Sequence, residues 1–163
     1  MERNGLHRMN TELHFLVVND EPNIQRVLVA LLKEIGYVKI SEAENGEMAL
    51  RAFKSAKLVG APIEFLITDC EMPLMNGLGL IHSIRQDPEI SQIPILMFTS
   101  QANKENILAA AHAGADDYIV RPFSATILRK KLEKILGKRK MITVDLPSGT
   151  MNDRVRSQSG KSG

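Results

Sequence analysis

Short apolar runs alternate along this chain with segments of helical period, and that alternation restricts the possible folds more than any other feature. The runs are Phe15–Val18, Val38–Ile40, Phe65–Ile67, Ile95–Phe98 and Tyr118–Val120. Between them, apolar residues recur at three- and four-residue steps. Ile24, Val27, Leu28, Leu31, Leu32 and Ile35 make one stripe, and Met48, Ala49, Ala52 and Phe53 make the next. Leu80, Ile81 and Ile84 follow, then Ile107, Leu108 and Ala111, and last Ile127, Leu128, Leu132, Ile135 and Leu136. Such steps place the residues of each group on one face of a helix. Strands that alternate with helices make βα units, whose strands pair in parallel. The first, third and fourth runs are apolar without interruption, as strands covered on both faces are. An α/β fold of five βα units is therefore expected, with helices on both faces of one sheet.

Aromatic residues are only 4% of the chain and Trp is absent, while 44% is hydrophobic, so aliphatic side chains and Met must fill the core. The 163 residues suffice for one domain and a tail. The expected division is an extension over 1–12, a domain over 13–138, and a flexible tail or linker over 139–163. From Met141 onward, Pro147, glycines and serines replace the apolar period. A net charge of +2, from 21 basic and 19 acidic residues, gives no reason to expect nucleic acid as a partner. No stretch approaches the roughly 20 apolar residues of a membrane span. With Cys70 as the one cysteine, no internal disulfide can form, and a cytoplasmic monomer is expected.

The chemistry concentrates after the strands. Asn19, Asp20 and Glu21 follow the first run, Asp69 and Glu71 the third, Thr99 ends the fourth and Arg121 follows the fifth. In parallel α/β sheets ligands sit beyond the carboxyl ends of the strands, where strand order reverses. If the order is 2-1-3-4-5, the first and third strands are neighbours there, and Asp20 and Asp69 converge. Carboxylates and a backbone carbonyl suit Mg²⁺, which keeps several waters and is often completed by a phosphate. A carboxylate beside such a metal can act as a nucleophile and form an aspartyl phosphate. Thr99 and Arg121 supply a hydroxyl and a fixed cation for the phosphoryl oxygens. No Gly-rich phosphate loop follows the first run, which argues against a nucleotide enzyme. Cys70 reads as a small buried hydrophobe rather than a redox nucleophile.

Val17-Val18-Asn19-Asp20-Glu21-Pro22, Asp69-Cys70-Glu71-Met72-Pro73 with Asn76-Gly77, Thr99-Ser100, and Ala113-Gly114-Ala115 leading to Tyr118 and Arg121-Pro122-Phe123 stand in fixed order. Together they resemble the CheY-like receiver domains of two-component response regulators, over about Leu13 to Leu136. The stretch from Lys104 to Phe123 is similar to the chemotaxis members in particular. The resemblance implies a flavodoxin-like, doubly wound (βα)5 fold with a five-stranded parallel sheet in the order 2-1-3-4-5. It implies a phosphoryl group taken by Asp69 from a histidine kinase. Mg²⁺ would be held by Asp20, Asp69 and the backbone carbonyl of Glu71, with Asn19 reaching the ion through water. It further implies that Thr99 and Arg121 register the phosphate and that Thr99 and Tyr118 act as the switch. A downstream protein, such as the flagellar motor switch, would read the face of the fourth helix, fifth strand and fifth helix. Such a protein is a signalling switch, whose enzymatic activity is at most self-phosphorylation and autodephosphorylation. Pro122 is expected to follow a cis bond, as in the family.

Two positions depart from the family pattern. Asn19 stands where the acidic pair has its other carboxylate, which removes a negative charge near the metal. Arg121 stands where a lysine is usual, and its planar guanidinium is not a geometric equivalent. They leave open an interaction module that never takes phosphate, and the tail leaves open the receiver half of a larger regulator with Met141–Gly163 as the linker.

Overall fold

The computed structural model describes residues 7–8, 11–70, 76–100, 103–122, 124–139 and 143–144. Five βα units follow one another: β1 (His14–Val18), α1 (Pro22–Ile35), β2 (Lys39–Ala43), α2 (Gly46–Leu58), β3 (Phe65–Asp69), α3 (Gly77–Gln86), β4 (Ile95–Thr99), α4 (Lys104–Ala113), β5 (Asp117–Val120) and α5 (Ala125–Lys138). The strands form one parallel sheet in the order β2-β1-β3-β4-β5. This is the 2-1-3-4-5 order of the doubly wound flavodoxin-like fold.

Side chains alternate across each strand, and the core divides accordingly. Phe15 and Val17, Phe65 and Ile67, and Leu96 and Phe98 point to the face covered by Leu28 and Leu32 of α1 and Leu128, Leu132, Ile135 and Leu136 of α5. Leu16, Val18, Leu66, Ile95 and Met97 point the other way, against Ala49 and Phe53 of α2, Leu80, Ile81 and Ile84 of α3, and Ala110 of α4. β3 and β4 are buried at every position, which is why their sequences show no polar alternation. Each fully buried Leu, Ile or Phe contributes about 1.5–3 kcal/mol relative to exposure.

The helical stripes are narrower than their sequence period suggests. Val27, Leu108 and Ile127 are each about half exposed. Val38 precedes its strand and is also exposed. β2 is an edge strand that pairs with β1 alone, and its register of His14 with Lys39 through Val18 with Ala43 shifts it toward Ala43. Helix starts follow their capping chemistry. Asn45, Asn76 and Asn103 accept from the third N–H of α2, α3 and α4 at 2.8–2.9 Å, and Ser124 does so for α5 at 3.2 Å. Pro22 opens α1, where its missing N–H removes nothing.

At the amino end of β5, Asp116 accepts from Ile95 N at 2.7 Å, from Arg85 at 3.2 Å and from Arg139 at 2.9 Å. Arg139 thus fixes the end of α5 to the sheet, at the first residue of the expected tail. Thr143–Val144 pair antiparallel with His7–Arg8. Most of 139–163, and of 1–12, lies outside the described residues. Among the described residues, no helix is long and apolar enough to cross a membrane.

Candidate functional site

Because β1 and β3 are neighbours, the polar residues that follow them meet at one end of the sheet. A cleft of about 250 Å³ opens there, between the carboxyl ends of β1, β3, β4 and β5. Asp20, Asp69, Thr99 and Arg121 all line it, together with Glu21, Cys70, Ser100 and Asn106. Asp69 and Thr99 are nearly buried, whereas Asp20 and Glu21 stand in solvent. Three carboxylates face one guanidinium, so the cleft carries net negative charge and favours a cation.

Backbone geometry sets these side chains with little slack. Asn19 N donates to Ala43 O at 3.1 Å, and buried Gln25 donates to Val17 O at 3.1 Å and Ala43 O at 2.8 Å. These bonds tie the carboxyl ends of β1 and β2 together. Past β3, Cys70 N donates to Phe98 O at 3.1 Å and Gly77 N to Cys70 O at 3.0 Å, so the chain returns against its own strand end. A Cβ on Gly77 would lie 1.9 Å from Asp69 O, which no side chain permits. Arg121 N donates to Thr99 O at 2.9 Å, which places its side chain beside Thr99. The Arg121–Pro122 bond is cis.

The fully buried Asn19 donates through Nδ2 to Asp69 Oδ2 at 2.7 Å and accepts at Oδ1 from Glu21 N at 2.6 Å. Arg121 Nη1 lies 3.5 Å from Glu21 Oε1. Its Nε is buried and makes no hydrogen bond among the described residues. A guanidinium that lines a cleft and has an unused N–H fits an anion such as a phosphoryl group. Asp20 and Asp69 offer the carboxylate oxygens that a hard cation takes. No three His, Cys, Asp or Glu side chains among the described residues cluster as a metal site, so Mg²⁺ here would rely on two carboxylates, waters and a backbone carbonyl. The expected carbonyl, that of Glu71, lies outside the described residues.

Tyr118 is not in the cleft. It lies half-buried on β5, with Lys131 Nζ 4.8 Å from its ring centroid. Lys131 also bonds Asp117 at 3.1 Å, and Lys134 lies 3.4 Å from it. Burial alone would raise the Asp117 carboxyl, but the Tyr118 N–H, the Lys131 hydrogen bond and the two ammonium charges outweigh it and hold the group below its usual range. Gln25 and Asn106 carry no signal in the sequence. Neither follows a strand directly, so each enters through helix packing alone.

The receiver domain model of response regulators matches residues 15–133. The chain belongs to the response-regulator receiver family. "Chemotaxis protein CheY-3" of Vibrio cholerae is 38% identical over 130 residues, covering 80% of this chain and 96% of that one. "Chemotaxis protein CheY" of Pseudomonas aeruginosa is 36% identical over 126 residues, covering 77% and 98%. Among solved structures, chemotaxis protein CheY4 of Vibrio cholerae matches with TM-score 0.69 at 27% identity, covering 77% of this chain and 99% of that one. The receiver domain of a sensor histidine kinase from Pseudomonas aeruginosa, solved with magnesium coordinated in its active-site cleft, matches with TM-score 0.66 at 26% identity, covering 77% and 98%. As a receiver, the chain is a signalling module of the two-component type.

Proposed function

We propose that this receiver takes a phosphoryl group on Asp69 from a histidine kinase and signals by phosphorylation-dependent protein binding, in a chemotaxis-like pathway of the cytoplasm. The observation that carries this reading is the convergence of Asp20, Asp69, Thr99 and Arg121 on one solvent-open cleft. An Asp69 carboxylate oxygen attacks phosphorus, forming a P–O bond as the bond to the donor's imidazole nitrogen breaks and its electron pair leaves with the imidazole. Asp20, Asp69 and the backbone carbonyl of Glu71 would hold Mg²⁺, which would supply positive charge to offset that of the transferring group. Arg121 meets the phosphoryl oxygens through its orphaned Nε and an Nη now near Glu21. The Thr99 hydroxyl donates to the same group. The output face is that of α4, β5 and α5, whose elements carry half-exposed Leu108 and Ile127 and half-buried Tyr118.

Incubation with Mg²⁺ and a small phosphodonor, followed by intact mass, tests the reading: one phosphoryl adduct is expected, and none in Asp69→Asn. An adduct that persists in that variant would move the acceptor elsewhere. A second reading, an interaction module that takes no phosphate, draws on the Arg121–Glu21 contact, and absence of any adduct in the unmodified protein would favour it.

A further inference from the structure

Asn19 departs from the family pattern, and both polar atoms of its side chain are engaged. Nδ2 holds Asp69 Oδ2 at 2.7 Å and Oδ1 holds Glu21 N at 2.6 Å, in a setting with no solvent exposure. The chemistry allows one orientation. Turning the amide over would set its NH2 against the Glu21 N–H and its oxygen against the Asp69 carboxylate, so that both contacts become repulsive. Residue 19 is also pinned through its own backbone N–H to Ala43 O at 3.1 Å. A carboxylate at this place would set one anionic oxygen against another, and like charges in such contact persist together only with a cation close by. Asn19 does the opposite, meeting the Asp69 carboxylate with a neutral donor.

We propose that Asn19 is a positioning residue for phosphoryl acceptance: it holds the Asp69 carboxylate through Oδ2 without a divalent cation, and so makes the chain's site less dependent on Mg²⁺ than one with a carboxylate at residue 19. The proposal rests on the phosphoacceptor reading above. Bound at Oδ2 to an amide that is itself pinned, the Asp69 carboxylate has its rotation restrained before any phosphodonor arrives. The same bond opposes any cation that needs Oδ2. Weak Mg²⁺ affinity and a shallow Mg²⁺ dependence are then two results of one hydrogen bond.

Two measurements on the full chain test this, each with the wild type, Asn19→Asp and Asn19→Ala. Mg²⁺ titration of the unphosphorylated proteins by amide NMR shifts should show Asn19→Asp binding about tenfold more tightly than wild type, the scale on which residues around a metal site act. Adduct formation from acetyl phosphate, with and without Mg²⁺, should give a rate ratio at least about tenfold larger in both variants than in wild type. A residue with a merely structural role would scale the rate alike at every Mg²⁺ concentration, and an unchanged ratio overturns the proposal. If Asn19→Asp does not fold, the side-chain amide protons of Asn19 in the wild type decide. Protection from exchange without metal supports the proposal, and rapid exchange overturns it. If the wild type gives no adduct under any condition, the phosphoacceptor reading fails, while the Mg²⁺ isotherms and amide protection still report on the hold of Asn19 on Asp69.

Discussion

Single atoms decide much at this site. Gly77 is required because any Cβ would collide with the backbone oxygen of Asp69, and a backbone oxygen cannot step aside as a side-chain tip can. Gly77→Ala should destabilise the fold by about 1–3 kcal/mol, the usual range for overpacking, and should slow phosphoryl acceptance by displacing Asp69. Urea unfolding beside adduct formation checks this, and an unchanged midpoint would reject it. Asp117 makes a different prediction. Its carboxyl is held below the ordinary value of 3.8 by contacts that outweigh burial. A depressed folded value stabilises above the unfolded one, and that stabilisation disappears as pH falls through the folded value. The stability difference between wild type and Asp117→Asn should therefore be full at neutral pH and shrink below pH 3.8. Thermal melts across that range that show a constant difference would contradict the assignment.

Among the elements, β4, α4, β5 and α5 form the route along which the proposed signal would leave. Thr99 ends β4 at the cleft, and β4 pairs with β5 so that Met97 lies beside Tyr118 and Thr99 beside Val120. If the Thr99 hydroxyl turns to a phosphoryl oxygen, its neighbours on β5 and α4 gain or lose room. Lys131 over the Tyr118 ring, itself held by Asp117, opposes any turn of that ring, and couplings of this kind are typically about 1–3 kcal/mol. Binding of a phosphate mimic should shift backbone amides across residues 103–130 as well as at the cleft. Shifts confined to the cleft would rule out this route. Deletion of Met141–Gly163 should leave the shifts unchanged if output leaves through this face.

The whole molecule depends on one joint far from the cleft. Asp116 gathers Arg85 from α3, Arg139 from the end of α5 and the first N–H of β4. Arg85 also donates to the carbonyls of Ser91, Ile93 and Gly114 at 2.7 Å. Burial pulls the Arg85 guanidinium below its usual value, against the pull of Asp116. Asp116→Ala strips a charged acceptor from all three donors and should cost about 2–3 kcal/mol, the scale of a lost hydrogen bond to a charged group. Urea unfolding measures it, and a loss under about 0.5 kcal/mol would mean that water replaces Asp116 at no expense, as it does for typical surface substitutions.

The alternation of apolar runs with helical stripes, legible in the sequence, already determined the class of fold, because a strand covered on both faces must be apolar throughout. The places of Asp20, Asp69, Thr99 and Arg121 were legible too, since each stands directly at or after a strand end. Three things were settled only by tertiary structure. The sheet order brought the ends of β1 and β3 together; the family resemblance implied that order, but no local pattern of the residues encodes which strands are neighbours. The exposure of Val27, Leu108 and Ile127 depended on how far each helix rolls against the sheet, which helical period does not specify. The bond from Asn19 to Asp69 joins residues 50 positions apart, and composition shows there only a missing charge, whereas the fold turns the amide into a donor aimed at the acceptor.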